Sequence, residues 1–121
     1  MDPYFSITYN GKEYRTRTHN EAGKHPEWHE SFDIDIQSLN DDIVLAIFDE
    51  DLTDNEVVGE RKFKVRAICQ AALTMRVIPL NFKGKNSADI TIESKFTKRS
   101  ELMTLNEINK KLGHKFENLR I

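Results

Sequence analysis

Along the chain, apolar positions recur with a period of two in short stretches, separated every eight to twelve residues by turn-forming residues, a pattern that predicts an antiparallel β-sandwich. Seven strands follow from it. Tyr4 to Tyr9 and Lys12 to Thr18 flank Asn10-Gly11, a dipeptide that tolerates the positive φ of a tight hairpin, so the two should pair. Ser31 to Ile36 alternates, with Phe32, Ile34 and Ile36 on one face and Asp33 and Asp35 on the other. Asp42 to Phe48 is apolar on both faces, as a central strand should be. Val57 to Val65, Met75 to Phe82 and Ala88 to Phe96 complete the set, with a short helical turn expected over Ile68 to Leu73.

After Phe96 the period changes. Thr104 and Glu107 form a capping box, Met103 can staple onto Ile108, and Gly113 follows Leu112 as a stop signal. A short helix is therefore expected, with Leu105, Ile108 and Leu112 on one side, able to dock on the sandwich or on a partner. The organisation expected is one β domain over residues 1–98 and a helical extension over 99–121.

A chain of 121 residues has room for one domain that buries roughly two thirds of its unfolded surface. Hydrophobic residues at 38% with seven Phe argue against wholesale disorder, although charged residues reach 31%. The formal net charge of −2 supplies no global field for attracting nucleic acid, so any anion binding must be local. No apolar run approaches the roughly 20 residues of a transmembrane helix. Asp2 beside Met1, with no apolar run after it, is unlike a signal peptide, and the single Cys69 cannot form an internal disulfide. An intracellular protein, cytoplasmic or peripheral to a membrane, is the expectation. Cys69 itself, beside Ile68 and Ala71, reads as a small core residue.

The chemistry concentrates in Asp49-Glu50-Asp51-Leu52-Thr53-Asp54-Asn55-Glu56-Val57-Val58-Gly59, where five acidic side chains follow a buried strand. Crowded carboxylates repel, and a hard cation such as Ca²⁺ relieves this by taking several oxygen ligands. Asp49 and Asp51, two apart on an extended segment, aim at one point. A solvated acidic loop is the alternative. An EF-hand is excluded, because the sixth position carries no glycine and helical patterns do not flank the segment. His25 and His29 have a zinc-protease spacing, but Pro26 argues for a turn where that chemistry needs a helix. His19 and His114 read as isolated and solvent-facing. Arg15 and Arg17 share one face of their strand, with Lys12 near the same edge, and could receive an anionic headgroup or a partner's acidic patch; a solvated face is again the alternative. A Gly-rich phosphate loop, a nucleophile elbow and a Cys/His catalytic pair are all absent from the sequence, so catalysis is not expected.

Three motifs in order resemble the C2 domain, a Ca²⁺-dependent phospholipid-binding β-sandwich. Asp2-Pro3-Tyr4 is similar to the Asp-Pro-Tyr that ends that family's first calcium loop. Lys24-His25-Pro26-Glu27-Trp28-His29-Glu30-Ser31-Phe32 is similar to Asn-Pro-x-Trp-Asn-Glu-x-Phe, with Trp28 and Phe32 as core anchors. Phe48-Asp49-Glu50-Asp51 through Val58-Gly59-Glu60 resembles the third loop. The resemblance covers residues 2 to about 96 and implies Asp2, Asp49 and Asp51 as calcium ligands, with Glu56 at the last aspartate position or Asp54 in its place. It also implies anionic membrane lipids or protein partners, and makes Leu52 a candidate for insertion into lipid.

Two departures matter. Glu56 stands where the family has Asp, in a loop that looks one residue short, and the strand that precedes Asp-Pro-Tyr, with its ligand aspartate, is missing. A sandwich short of one strand exposes unpaired backbone. The tail His114 to Ile121 could fill the gap, but its Phe116, Leu119 and Ile121 do not alternate cleanly, so a partner chain in a larger assembly is the expected cover. That leaves two functions from the sequence: a calcium-responsive membrane-binding module, or a structural or adaptor subunit that does not bind calcium.

Overall fold

The computed structural model describes residues 2–20, 26–50, 55–68, 73–98 and 114–120. Strand β1 (Pro3–Tyr9) turns through Asn10 and Gly11, at φ 47° and 78°, into β2 (Lys12–Arg15), with Tyr9 opposite Lys12. Positive φ at both turn residues matches the right-handed twist of the strands, which is why this dipeptide makes the hairpin. Then follow β3 (Ser31–Ile36), β4 (Asp42–Glu50), β5 (Asn55–Lys64), a 3₁₀ turn (Val65–Ala67), β6 (Leu73–Phe82), β7 (Lys85–Lys98) and β8 (His114–Arg120).

The strands run in the order β2-β1-β4-β5-β6-β7-β8-β3, every pair antiparallel. Only Glu60 and Asn81 pair between β5 and β6, so the chain turns a corner there and forms a sandwich of β2-β1-β4-β5 on β6-β7-β8-β3. Gly59 sits at that corner, where a Cβ would meet Leu80 Cβ at 3.0 Å and Ser87 Oγ at 2.5 Å. Between the layers lie Phe5, Ile7 and Tyr9 of β1, Ile34 and Ile36 of β3, Ile43, Leu45 and Ile47 of β4, Ile78 and Leu80 of β6, and Ile90 and Ile92 of β7. Each such side chain contributes about 1.5–3 kcal/mol of burial. Trp28 and Phe32 pack against this core, Trp28 on Phe5 at 6.1 Å between ring centroids and Phe32 on Tyr14 at 6.0 Å.

Tyr9 ties down the end away from Asp2. Its hydroxyl donates to Asp41 Oδ2 at 2.5 Å and accepts from the Gln37 N–H at 2.7 Å, fixing the β3–β4 turn. Burial, reinforced by the bond to Asp41, raises its pKa above the usual 10.0. Nearby, Lys64 Nζ lies 2.9 Å from Asp42 and holds that carboxyl below its ordinary range.

Seven strands were expected and the described residues form eight. β6 and β7 are one hairpin through Lys83 and Gly84, at φ 52° and 79°, and a 3₁₀ turn at Val65–Ala67 follows β5; the turn expected over Ile68 to Leu73 lies, with Cys69, largely outside the described residues. The expectation that a partner covers the open edge is corrected, because β8 pairs with both β7 and β3. Where a helical extension was expected over 99–121, His114–Arg120 is therefore a strand; the helix at 105–112 falls outside the described residues. The physical reason is that two rows of unpaired backbone groups reward any extended segment within reach, whatever its side-chain alternation.

Candidate functional site

One end of the sandwich collects the acidic residues. β1 begins where β4 ends, with Pro3 opposite Asp49, and the Asp2 N–H donates to Asp49 Oδ1 at 2.9 Å while the Glu50 N–H donates to the Asp2 carbonyl at 2.9 Å. Both aspartates are half-buried. On β4, Asp49 continues the alternation of Ile43, Leu45 and Ile47, so it lies on the core-facing side at the open rim. Opposite it on β5 stands Glu56, and like charges directly across a ladder are unfavourable. The antiparallel pairing thus joins Asp2, Asp49 and Glu56, which are far apart in sequence, at one rim. Asp51, Leu52 and Asp54 lie outside the described residues.

Carboxylate and carbonyl oxygens are the donors a hard cation takes, and Asp49 keeps an oxygen that the Asp2 N–H does not occupy. The chemistry of the rim therefore suits Ca²⁺. Among the described residues, however, no three His, Cys, Asp or Glu side chains converge as one ligand set, so completing a site depends on residues 51–54.

Beside the rim is an open cleft of about 360 Å³ lined by Arg17, Thr18, His19, Glu27, Trp28, His29 and Glu30. Two segments form it, one leaving β2 and the other returning to β3. They meet at the Pro3 carbonyl, which accepts from the His19 N–H at 2.8 Å and from Trp28 Nε1 at 3.2 Å. Thr18 Oγ1 donates to Glu50 Oε2 and fastens the first segment to the end of β4. His19, expected to be isolated, is instead half-buried and accepts the Glu27 N–H at Nδ1, 3.0 Å away. His29 is exposed and contacts Glu27 Oε2 at 3.0 Å; His25 lies outside the described residues.

On the outer face of the β2-β1-β4-β5 layer, Arg15 lies over the Tyr4 ring at 3.6 Å, and Tyr4 stacks on Phe48 with centroids 5.1 Å apart. A cation–π contact at an exposed site contributes about 0.5–1 kcal/mol and holds the guanidinium in place. Arg15 is thus a positioned cation rather than a freely solvated one, which the sequence could show only through the register that places Ser6 opposite Arg15 and Tyr4 opposite Phe48. Arg17 is exposed and lines the cleft, its own N–H donating to Glu30 Oε2 at 2.8 Å. Lys12 turns to the other ring, 4.8 Å over Tyr14.

Comparison with known proteins agrees with this fold. The pattern of the C2 domain matches residues 1–80. The chain is 30% identical over 96 residues to the cytosolic phospholipase A2 delta of Mus musculus, an alignment that takes in 75% of this chain. It is 28% identical over 112 residues to a C2 and GRAM domain-containing protein of Arabidopsis thaliana, across 86% of this chain. The alignments span 12% and 11% of those proteins' own lengths, so they bear on one module and not on the phospholipase's catalysis.

Proposed function

The chain belongs to the C2 domain family, and on that premise we propose that it is a membrane-binding module that meets anionic phospholipid at the Asp2–Asp49 end in response to Ca²⁺. The observation that carries this reading is the bond from the Asp2 backbone N–H to Asp49 Oδ1, which sets Asp2, the residue before β1, beside the carboxylate at the end of β4 on one rim of the sandwich. Asp2 and Asp49 would hold the ion together with Asp51, and Glu56 or Asp54 would complete the set. Bound there, Ca²⁺ supplies positive charge to an end of the molecule that is otherwise acidic.

The chain's own residues do the rest. Arg15, held on Tyr4, offers a positioned positive charge to headgroups and exposed Arg17 offers a second beside the cleft, while Leu52 is the apolar candidate for insertion. Among the described residues no helix is long and apolar enough to cross a membrane.

Thermal unfolding with and without Ca²⁺ tests the ion. At 100 times its dissociation constant the ion should add about 2.7 kcal/mol of stability. Asp49→Asn keeps an oxygen to accept the Asp2 N–H while removing the charge, so it should abolish the calcium increment and leave the melting temperature in chelator unchanged. A wild-type melting temperature unmoved by millimolar Ca²⁺ would favour the adaptor reading, a C2 module that binds a protein partner without the ion.

A further inference from the structure

The two segments that wall the cleft are joined to each other by side-chain acceptors. The Arg17 N–H donates to Glu30 Oε2 at 2.8 Å, and the Glu27 N–H donates to His19 Nδ1 at 3.0 Å. A carboxylate accepts over most of the pH range, but an imidazole nitrogen accepts only while it carries no proton. We propose that His19 is a proton-operated latch, which holds the segment Pro26–Trp28 against the Asp2 end when neutral and releases it when protonated.

To accept at Nδ1, His19 must carry its single proton on Nε2. A second proton goes to Nδ1, the lone pair is lost, and an N–H then faces the Glu27 N–H. The hydrogen bond becomes a donor–donor opposition and the segment must move. Because the latched state holds one proton fewer, acid shifts the equilibrium to the released state by mass action.

The cleft holds a second histidine on the same glutamate. His29 Nε2 lies 3.0 Å from Glu27 Oε2, and protonating that ring turns the contact into a charge-assisted bond. That contact uses the Glu27 side chain while His19 accepts the Glu27 main-chain N–H, so the two coexist and the latch rests on His19 alone. Among the described residues, the charged and titratable groups around the His19 ring are Arg17 on its own segment and Glu27, His29 and Glu30 on the returning one. Glu50 comes from the end of β4, bonded to Thr18, and Asp2 precedes the Pro3 carbonyl that accepts the His19 N–H.

Release has a route to the rim. Trp28 directly follows Glu27, and its indole N–H donates to the same Pro3 carbonyl as His19 while its ring packs on Phe5. Moving Glu27 therefore disturbs the residue next to Asp2. The latch itself requires neither calcium nor lipid, so its failure and the failure of the membrane reading are distinguishable.

Nitrogen-resolved NMR of the full chain, in chelator and without lipid, tests it between about pH 8 and 5, the range in which histidine changes charge. The Glu27 amide and the Trp28 indole N–H should move together, with the midpoint at which the His19 ring titrates. His19→Asn supplies an oxygen acceptor that does not titrate and should abolish the joint transition, while His29→Asn should leave its midpoint at that of His19. If both signals stay still while the His19 ring titrates in the wild type, the proposal is overturned, and it is equally overturned if the transition survives in His19→Asn. Should His19→Asn fail to fold, the wild-type titration decides alone.

Discussion

At the scale of single residues, what matters is which polar groups the core can and cannot do without. Tyr9 is 2% exposed, and its hydroxyl serves Asp41 as donor and Gln37 as acceptor. Tyr9→Phe leaves the Gln37 N–H without that acceptor and should cost about 1–3 kcal/mol in urea denaturation. The pH dependence has a definite sign. A phenol whose folded pKa is raised prefers to stay protonated in the fold, so its contribution is present below about pH 10 and is lost as pH rises through the raised value. Tyr9→Phe should accordingly flatten the alkaline loss of stability, as chemical denaturation at pH 8 and above 10 would show. Arg15 is the counterpart on the outer face. Arg15→Ala should weaken binding to anionic vesicles by about 1 kcal/mol, roughly fivefold, with a shallower salt dependence and little change in melting temperature. Unchanged affinity would remove Arg15 from the lipid contact.

At the scale of elements, the strand most in need of a test is β8. It lies between β7 and β3, so truncation after Lys98 should strip the inner edges of both and leave Ile34, Ile36 and Ile92 beside an open gap. The shortened chain should unfold without cooperativity or self-associate; a melting temperature equal to that of the full chain would show that β8 is dispensable. This strand also shows where reading the sequence fails. Asn10-Gly11 and the alternation at Ser31 to Ile36 are local signals, and they correspond to the observed turn and strand. His114–Arg120 has no such signal: its extended form comes from the empty ladder between two strands distant in sequence, and contacts of that kind are set by the fold and not by the segment.

At the scale of the whole molecule, function depends on what the sandwich brings to one end. The acidic pair was legible as motif residues, since Asp2 and Asp49 each sit in a stretch resembling the C2 domain, and the β1–β4 register then places them in contact. The His19 acceptor and the stacking of Arg15 on Tyr4 were not legible, because both depend on the path of a segment across the end or face of a sheet. The opposite end is tied by Tyr9, Asp41 and the Asp42–Lys64 pair, while the Asp2 rim is the end we propose for membrane contact.

Co-sedimentation with vesicles of mixed phosphatidylserine and phosphatidylcholine, in millimolar Ca²⁺ and in chelator, tests the central claim most directly, with Asp49→Asn alongside the wild type. The wild-type chain should pellet with anionic vesicles only when Ca²⁺ is present and should stay in solution with pure phosphatidylcholine, while Asp49→Asn should stay in solution throughout. Equal sedimentation of the wild type with and without Ca²⁺, or full calcium-dependent sedimentation of Asp49→Asn, would contradict the assignment of the Asp2–Asp49 rim as a calcium-responsive membrane site.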